Sequence, residues 1–256
     1  FVKKQLKNEI CIKYASERYT VLKERNKKTL NKRNYQKELE KLIDQAQKEQ
    51  KVPSLFLHSC CAPCSSYVLE YLSQYFNITV FYYNPNITPE TEYTKRVKEL
   101  QRFIHEAGYE EDVTFVEGDY DPQVFFDMAR GMEDLPERGL RCYHCYALRM
   151  EEAAKKAAEM GADYFSTTLS ISPHKNAQWI NEIGEKLADK YGVKHLPSDF
   201  KKKGGYLRSI ALSEEYHLYR QDYCGCVFSK RDSEVPKQTN SVIKIAPTPT
   251  RMLNNI

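Results

Sequence analysis

Ser-Leu-Phe-Leu-His (residues 54–58) is a short apolar run that follows Pro53, and it decides the fold. Its length and composition predict a buried β-strand. A second apolar run, 78–83, predicts another strand, and the periodic segment between them, 65–75, predicts a helix. A strand, a helix and a strand in this order predict a βαβ unit with parallel strands.

The alternation continues along the chain. Further strands are predicted over 113–117, 164–169 and 195–197, and further helices over 34–49, 91–107, 123–130, 148–160 and 175–191. We therefore predict an α/β fold, a Rossmann-like and mostly parallel sheet with flanking helices, plus a basic helical N-terminal extension. Ligands of such sheets bind beyond the carboxyl ends of the strands. The tract 201–205, Lys-Lys-Lys-Gly-Gly, predicts a mobile basic loop beside that site.

Charge divides the chain unevenly. Residues 1–51 hold 15 Lys/Arg and 7 Asp/Glu, a net charge of +8, so the remainder carries −4 of the total of +4. A basic arm on a mildly acidic body indicates contact with a polyanion, and a solubilising extension is the alternative. We predict a basic, partly helical extension (1–51), an α/β metal-binding catalytic domain (52–230) and a loosely ordered tail (231–256).

The cysteines indicate metal or redox chemistry. The sequence contains no run of roughly 18 apolar residues, so no membrane span is expected. The lysines near the N-terminus are followed by no apolar run, so no secretory signal is expected either. We therefore expect a cytoplasmic protein, in which thiols stay reduced and the eight cysteines bind metal rather than form disulfides.

Seven of these cysteines form three tight groups, Cys60-Cys61-Ala-Pro-Cys64, Cys142-Tyr-His-Cys145 and Cys224-Gly-Cys226. A structural zinc ion or a [4Fe–4S] cluster uses four ligands, so seven exceeds one closed centre. Four plus three fits a closed cluster beside a metal with an open position. A single cluster with three spare cysteines is the alternative.

The spacing of the cysteines predicts how they are shared between the two metal centres. Side chains of consecutive residues point apart in extended backbone, so Cys60 and Cys61 are expected to serve different centres. A Cys-x-x-Cys pair commonly holds two corners of a cluster. We assign the cluster to Cys60, Cys142, Cys145 and Cys224, and the mononuclear metal to Cys61, Cys64 and Cys226.

Several longer segments resemble one known family. They are 57–64, 81–87, 117–121, 141–150, 166–176 and 219–226, which read LHSCCAPC, FYYNPNI, EGDYD, RCYHCYALRM, STTLSISPHKN and YRQDYCGC. Over about 55–228 the chain resembles the epoxyqueuosine reductases of the QueH family. The order of elements also resembles HUP-type and PP-loop nucleotide-binding domains, although Cys-Cys-Ala-Pro-Cys replaces their glycine-rich phosphate loop.

The resemblance implies an oxidoreductase of tRNA processing. Its reaction is the reduction of the epoxide of epoxyqueuosine, at the wobble position of tRNA, to give queuosine. The resemblance also implies independence of cobalamin, a [4Fe–4S] cluster and an adjacent mononuclear metal, iron or zinc. Some relatives carry aspartate where this chain has Cys64, which suits a metal ligand. The implied partners are tRNA carrying epoxyqueuosine and a low-potential electron donor.

Other polar residues are candidates for catalysis and tRNA binding. A proton donor would help the epoxide oxygen to leave, and the candidates are Asp119, Tyr120, His58 and His144. Cations near the site are expected to contact tRNA phosphates, and the candidates are Arg141, His174, Lys175, Arg208 and Arg220. Two alternatives are a PP-loop-like tRNA sulfur-transfer enzyme, which would need ATP, and a zinc-stabilised RNA-binding module, which would use four ligands.

Overall fold

A parallel five-stranded sheet forms the centre of the computed structural model, which describes residues 33–234. Its strands are β1 (Ser54–Ser59), β2 (Asn77–Tyr82), β3 (Val113–Glu117), β4 (Tyr164–Thr167) and β5 (Lys194–His195). Their spatial order is β3-β2-β1-β4-β5. The chain moves outward from β1 to β3 and then returns to the other side of β1. The topological switch therefore lies between β1 and β4, where such sheets bind ligands.

Helices cover both faces of this sheet. They are α1 (Tyr35–Lys48), α2 (Ala62–Leu72), α3 (Glu90–Glu106), α4 (Pro122–Ala129), α5 (Leu140–Glu159), α6 (Ala177–Tyr191), α7 (Gly205–Glu215) and α8 (Val227–Glu234), with short 3₁₀ turns at Thr168–Ile171 and Lys202–Gly204. The predicted α/β fold with a mostly parallel sheet and flanking helices is confirmed. None of the helices in residues 33–234 has the length and apolarity to cross a membrane.

Alternate residues of β1 face two separate cores. Leu55 and Leu57 pack with the buried residues of α1, α2 and α3. Phe56 points the opposite way and packs with α5 and α6. This alternation follows from the twofold repeat of a strand. Because β1 is buried on both faces, its carboxyl end is held rigidly where Cys60 follows.

The basic part of the sequence includes a helix of the packed domain. Asn34 caps α1 by accepting a hydrogen bond from the backbone N–H of Lys37. Leu39 and Ile43 then lie on one face of α1 and are buried in the core. Residues 1–32 and 235–256, which hold most of the predicted extension and tail, lie outside the described residues.

Two local predictions need correction. The helix predicted over 148–160 begins earlier, at Leu140, because Gly139 starts it directly after the turn at Pro136. The predicted basic loop 201–205 is a short 3₁₀ turn that leads into α7. Gly205 is required there, since a Cβ atom would lie 2.0 Å from the carbonyl oxygen of Phe200.

Candidate metal centre

The first cysteine group surrounds the junction of β1 and α2. Cys60 follows β1, Cys61 precedes the first helical residue and Cys64 lies in the first turn of α2. Their three sulfur atoms lie within 4.8 Å of one another, and those of Cys60 and Cys61 are 3.9 Å apart. The prediction that these two neighbours point apart is therefore wrong. Cys61 itself has an extended backbone, but the chain turns into α2 directly after it, and the two sulfurs approach each other there.

These three thiols share protons. Hydrogen bonds from Cys61 and Cys64 lower the pKa of Cys60 well below its ordinary value, and Lys175 adds to the effect. The same interaction with Cys60 raises the pKa of Cys61 to about 12 and that of Cys64 well above the ordinary value. The contacts thus favour the thiolate form of Cys60, with Cys61 and Cys64 as its hydrogen-bond donors. A metal ion would release the remaining protons on binding, as thiolate ligation requires.

The remaining four cysteines come from α5 and from the segment before α8. Cys145 and Cys226 are buried in one cluster with Phe125 and Ala129. The sulfur of Cys142 accepts a hydrogen bond from the backbone N–H of Arg138, 3.3 Å away. Cys142 and Cys145 therefore lie within α5, not before it as predicted.

Burial favours the neutral thiol at Cys142, Cys145 and Cys226. It raises the pKa of Cys142, that of Cys145 to about 11 and that of Cys226 to about 12. The nearby sulfur of Cys224 adds to each of these increases. All seven cysteines in the described part of the chain are free thiols. Four of the seven are buried, and the sulfurs of Cys60, Cys61 and Cys64 are close enough together to share a metal ion.

Gly225 holds the third cysteine group in place. Its φ angle of 116° lies in the region that favours glycine. A Cβ atom would also lie 2.8 Å from the Ile87 side chain. The Gly225 carbonyl oxygen accepts a hydrogen bond from the backbone N–H of Thr88, 3.1 Å away. The glycine thereby ties the Cys224–Cys226 turn to the loop that follows β2.

A cavity of about 460 Å³ opens beside the thiols. Three cysteines line it: Cys60, Cys64 and Cys224. Cationic and imidazole side chains also line it: Arg96, Arg138, Arg149, His174, Lys175 and Arg220. Its other polar lining residues include Asn84, Glu137, Tyr206, Gln221, Asp222 and Tyr223. The volume lies in the range of ordinary ligand pockets, about 300–1,000 Å³, and the lining suits an anionic, ring-containing ligand.

The family of the chain follows from comparison with known proteins. A family model described as "Epoxyqueuosine reductase QueH" matches residues 55–232, which include the sheet and all seven of these cysteines. The chain belongs to the QueH family. The resemblance inferred from the sequence is confirmed.

Curated relatives agree with the family match. The protein named "Epoxyqueuosine reductase QueH" from Staphylococcus epidermidis is 46% identical over 200 residues, which are 77% of this chain and 84% of the relative. The protein of that name from Streptococcus pyogenes is also 46% identical over 200 residues, which are 77% and 78% of the two chains. The one from Thermotoga maritima is 36% identical over 182 residues, 69% of this chain and 90% of the relative.

Three of the predicted tRNA contacts line the cavity of this QueH-family chain: His174, Lys175 and Arg220. Arg208 lies elsewhere, where it forms an ion pair with Glu70 and a longer one with Glu215. Arg138 also lines the cavity and hydrogen-bonds His174. The cationic rim is therefore formed by the segments before α5, before α6 and before α8.

Arg141 does not fit the predicted contact with tRNA. Only 1% of the side chain is exposed, and its guanidinium lies over the ring of Phe228. Its Nη1 atom donates to the backbone carbonyl oxygens of Met132, Glu133 and Leu135. Arg141 thus anchors the loop before α5, and its burial leaves no face for a phosphate.

The four predicted proton donors all lie outside the cavity lining. His58 is fully buried, and burial lowers its pKa to about 3, with Arg149 adding to the effect. Its ring nitrogens contact the hydroxyl oxygen of Thr167 and the carbonyl oxygen of Tyr83. The Tyr120 hydroxyl donates to the Ile87 carbonyl oxygen, 2.9 Å away. Both ring nitrogens of His58 are therefore engaged within the protein, and its role as a proton donor stays a prediction.

Asp119 and His144 are both exposed. Neither lines the cavity, although His144 lies between the two cysteines of its motif. Lys175 is the better-placed donor. Burial opposes its charge, but the sulfurs of Cys224 and Cys60 raise its pKa well above the ordinary value, so its ammonium group stays protonated.

Two buried arginines of the cavity were not predicted from the sequence. Arg96 and Arg149 are 2% and 1% exposed, and the buried Nη2 atom of each has no hydrogen-bond partner in the described part of the chain. Arg149 and Asn84 fall within the segments that resemble the family, which is the signal that could have found them. Arg96 falls in none of these segments, so only its position in the fold brings it to the site.

Proposed function

We propose that this chain is a cobalamin-independent epoxyqueuosine reductase that converts epoxyqueuosine in tRNA to queuosine in the cytosol. One observation carries the proposal: in a QueH-family chain, Cys60, Cys64 and Cys224 line a cationic cavity at the topological switch of the sheet. The relatives that share this family bear the name of that reaction. A low-potential electron donor, separate from this chain, would supply the electrons.

The reaction requires two electrons and two protons. Both carbon–oxygen bonds of the epoxide break, an alkene forms and the oxygen leaves as water. A bound [4Fe–4S] cluster would supply single electrons, and a mononuclear metal, iron or zinc, would polarise the epoxide oxygen. Lys175 presents an ammonium group to the same cavity, where it would donate a hydrogen bond to the departing oxygen.

One sulfur–sulfur distance indicates how the seven cysteines are divided between the cluster and the mononuclear metal. Two sulfurs on one tetrahedral metal lie about 3.8 Å apart when each bond is about 2.3 Å. The distance of 3.9 Å between the sulfurs of Cys60 and Cys61 therefore suits one mononuclear metal held with Cys64. That division leaves four cysteines for the cluster: Cys142, Cys145, Cys224 and Cys226.

The assignment expected from the sequence differs from this one at two residues only. It gives Cys60 to the cluster and Cys226 to the mononuclear metal. Both divisions give Cys61 and Cys64 to the mononuclear metal, and Cys142, Cys145 and Cys224 to the cluster. We propose this common part as the ligand assignment. The distance between Cys60 and Cys61 favours Cys60 as the third ligand of the mononuclear metal.

Cysteine variants test the assignment through metal content rather than turnover. We expect Cys142→Ala to lose the broad cluster absorbance, and Cys64→Ala to keep it while losing the additional metal. Cys60→Ala separates the two divisions, because loss of the absorbance would place Cys60 on the cluster. Identical losses from Cys142→Ala and Cys64→Ala would refute the proposal of two centres.

The substrate is proposed to be tRNA read at its anticodon loop. Unpaired loop bases can be turned outward into a pocket, whereas duplex RNA hides its base edges. Arg138, His174 and Arg220 at the cavity rim would contact the phosphates on either side of the inserted nucleotide.

An anaerobic assay with two substrates tests this function. The protein, loaded with iron and sulfide, is incubated with a chemical low-potential reductant and either an epoxyqueuosine stem–loop or the free nucleoside. We expect queuosine to form on the stem–loop with a much higher kcat/KM. Equal kcat/KM for the nucleoside would contradict the role of RNA, and no product from either substrate would contradict the function.

A further inference from the structure

Arg149 is a buried cation beside the proposed metal site. It lies on α5, four residues after Cys145, and only 1% of its side chain is exposed. Its Nε atom donates to the Cys145 carbonyl oxygen and its Nη1 atom to the Asn84 amide oxygen, each 3.2 Å away. Its Nη2 atom is buried, has no hydrogen-bond partner among residues 33–234 and belongs to a side chain that lines the cavity.

No carboxylate in residues 33–234 forms an ion pair with Arg149. Its two hydrogen bonds go to neutral oxygens, and its guanidinium lies 5.9 Å from the centre of the Tyr146 ring. None of these contacts supplies a full opposite charge. Arg96, the other buried arginine of the cavity, differs because Glu92 lies 2.7 Å from its Nε atom. A buried charge without a counter-ion costs several kcal/mol. An opposite charge is therefore expected on the open side of the Arg149 guanidinium.

The sulfurs that act on Arg149 come from both parts of the site. Cys145, Cys224 and Cys60 are the ones with the largest electrostatic effect on its guanidinium. When Cys145 and Cys224 are thiolates on a cluster and Cys60 is a thiolate on the adjacent metal, they supply the negative charge that the arginine lacks. The rigid helix then holds one fixed positive charge against the cluster, with an N–H group free to donate to sulfur.

We propose that Arg149 is a positioning residue that sets the reduction potential of the iron–sulfur site. The potential of a cluster depends on net charge and on hydrogen bonds to its sulfurs. Reduction adds one electron, taken from the low-potential donor, so a nearby cation stabilises the reduced form and raises the potential. The inference rests on the proposed function, because it requires the cluster to be present.

The test is a redox titration of the iron–sulfur-loaded protein, followed by absorbance and electron paramagnetic resonance. Arg149→Gln removes the charge and Arg149→Lys retains it. Arg102→Gln is the control, because Arg102 is an arginine of α3 paired with Glu99 and Glu106. At a fixed potential we expect Arg149→Gln to lower the reduced-to-oxidised ratio at least tenfold, which is 59 mV for one electron. Arg149→Lys and Arg102→Gln should stay close to the parent protein.

Iron and sulfide analysis of every sample separates the two proposals. A parent protein without a cluster would overturn the proposed function. Clusters in all variants with equal potentials would overturn the role of Arg149, and so would a loss in Arg149→Lys as large as in Arg149→Gln. If Arg149→Gln does not fold, Asn84→Asp replaces it, because a carboxylate would then face Nη1. Asn84→Asp should also show a more negative reduction potential, and an unchanged reduction potential would overturn the inference.

Discussion

Arg141 provides the sharpest distinction between a structural and an RNA-binding arginine. The perturbation is Arg141→Gln, with Arg220→Gln as the matched control on the cavity rim. Arg141 is buried and donates to three backbone carbonyl oxygens. Arg220 is exposed and donates only to Ser213.

The hydrogen bonds of Arg141 give the expected loss of stability in Arg141→Gln. Nη1 carries two hydrogens, which the three carbonyl oxygens share, so the contacts amount to about two full hydrogen bonds. Hydrogen bonds from a charged group contribute about 1.5–3 kcal/mol each, and glutamine can keep one of the two. Arg141→Gln should therefore lower the free energy of unfolding by about 2 kcal/mol, or the Tm by about 4–8 °C for a domain of this size. Arg220→Gln should change it by less than about 0.5 kcal/mol.

Denaturant unfolding and salt-dependent tRNA binding are the two assays. Loss of one phosphate contact to single-stranded RNA reduces the slope of log K against log salt by about 0.7. We expect that change for Arg220→Gln and an unchanged slope for folded Arg141→Gln. A normal stability for Arg141→Gln together with a reduced slope would refute the structural role and restore the contact predicted from the sequence.

Three further predictions concern stability and the basic arm. Leu39→Ala should lower the free energy of unfolding by about 3 kcal/mol in denaturant titrations, because Leu39 is fully buried. An unchanged free energy of unfolding would contradict the packing of α1 in the core. Burial lowers the pKa of His195 to about 3, below its unfolded value of about 6.5, so stability is lost as pH falls below 6.5. His195→Gln should therefore reduce the stability difference between pH 7.5 and pH 5 by about 2 kcal/mol; an unchanged difference would contradict this. Deleting 1–33 should weaken tRNA binding at low salt and spare kcat, and an unchanged salt dependence would indicate a solubilising arm.

The sequence predicts the sheet well because its strands carry strong local signals. The runs 54–58 and 78–83 are apolar, bounded by turn residues and buried in the structure as β1 and β2. The start of α5 is predicted poorly, because residues 141–145 are polar or cysteine and show no helical apolar pattern. The helix forms there because Arg141 and Cys145 are buried against other segments, which a local pattern does not report.

The sequence selects seven candidate ligands, but it does not predict what surrounds them. Tight spacing identifies the seven cysteines, since scattered core cysteines rarely fall into three such groups. The position of the Cys61 sulfur depends on the turn from β1 into α2, so the sequence pattern misplaces it. Whether the charge of Arg149 is neutralised depends on which oxygens surround it in the fold. Arg208 points away from the cavity because it pairs with Glu70, a residue 138 positions away. Both features depend on tertiary contacts, which a local sequence pattern does not contain.

Metal and sulfide analysis tests most directly the central claim, that seven thiols of this chain form the iron–sulfur site of a reductase. The protein is purified anaerobically, reconstituted with iron and sulfide, freed of unbound metal and analysed for iron, zinc and acid-labile sulfide. The account predicts about four irons and four sulfides for the cluster, plus about one further metal ion. One equivalent of zinc without sulfide would contradict it and would indicate a zinc-stabilised module instead.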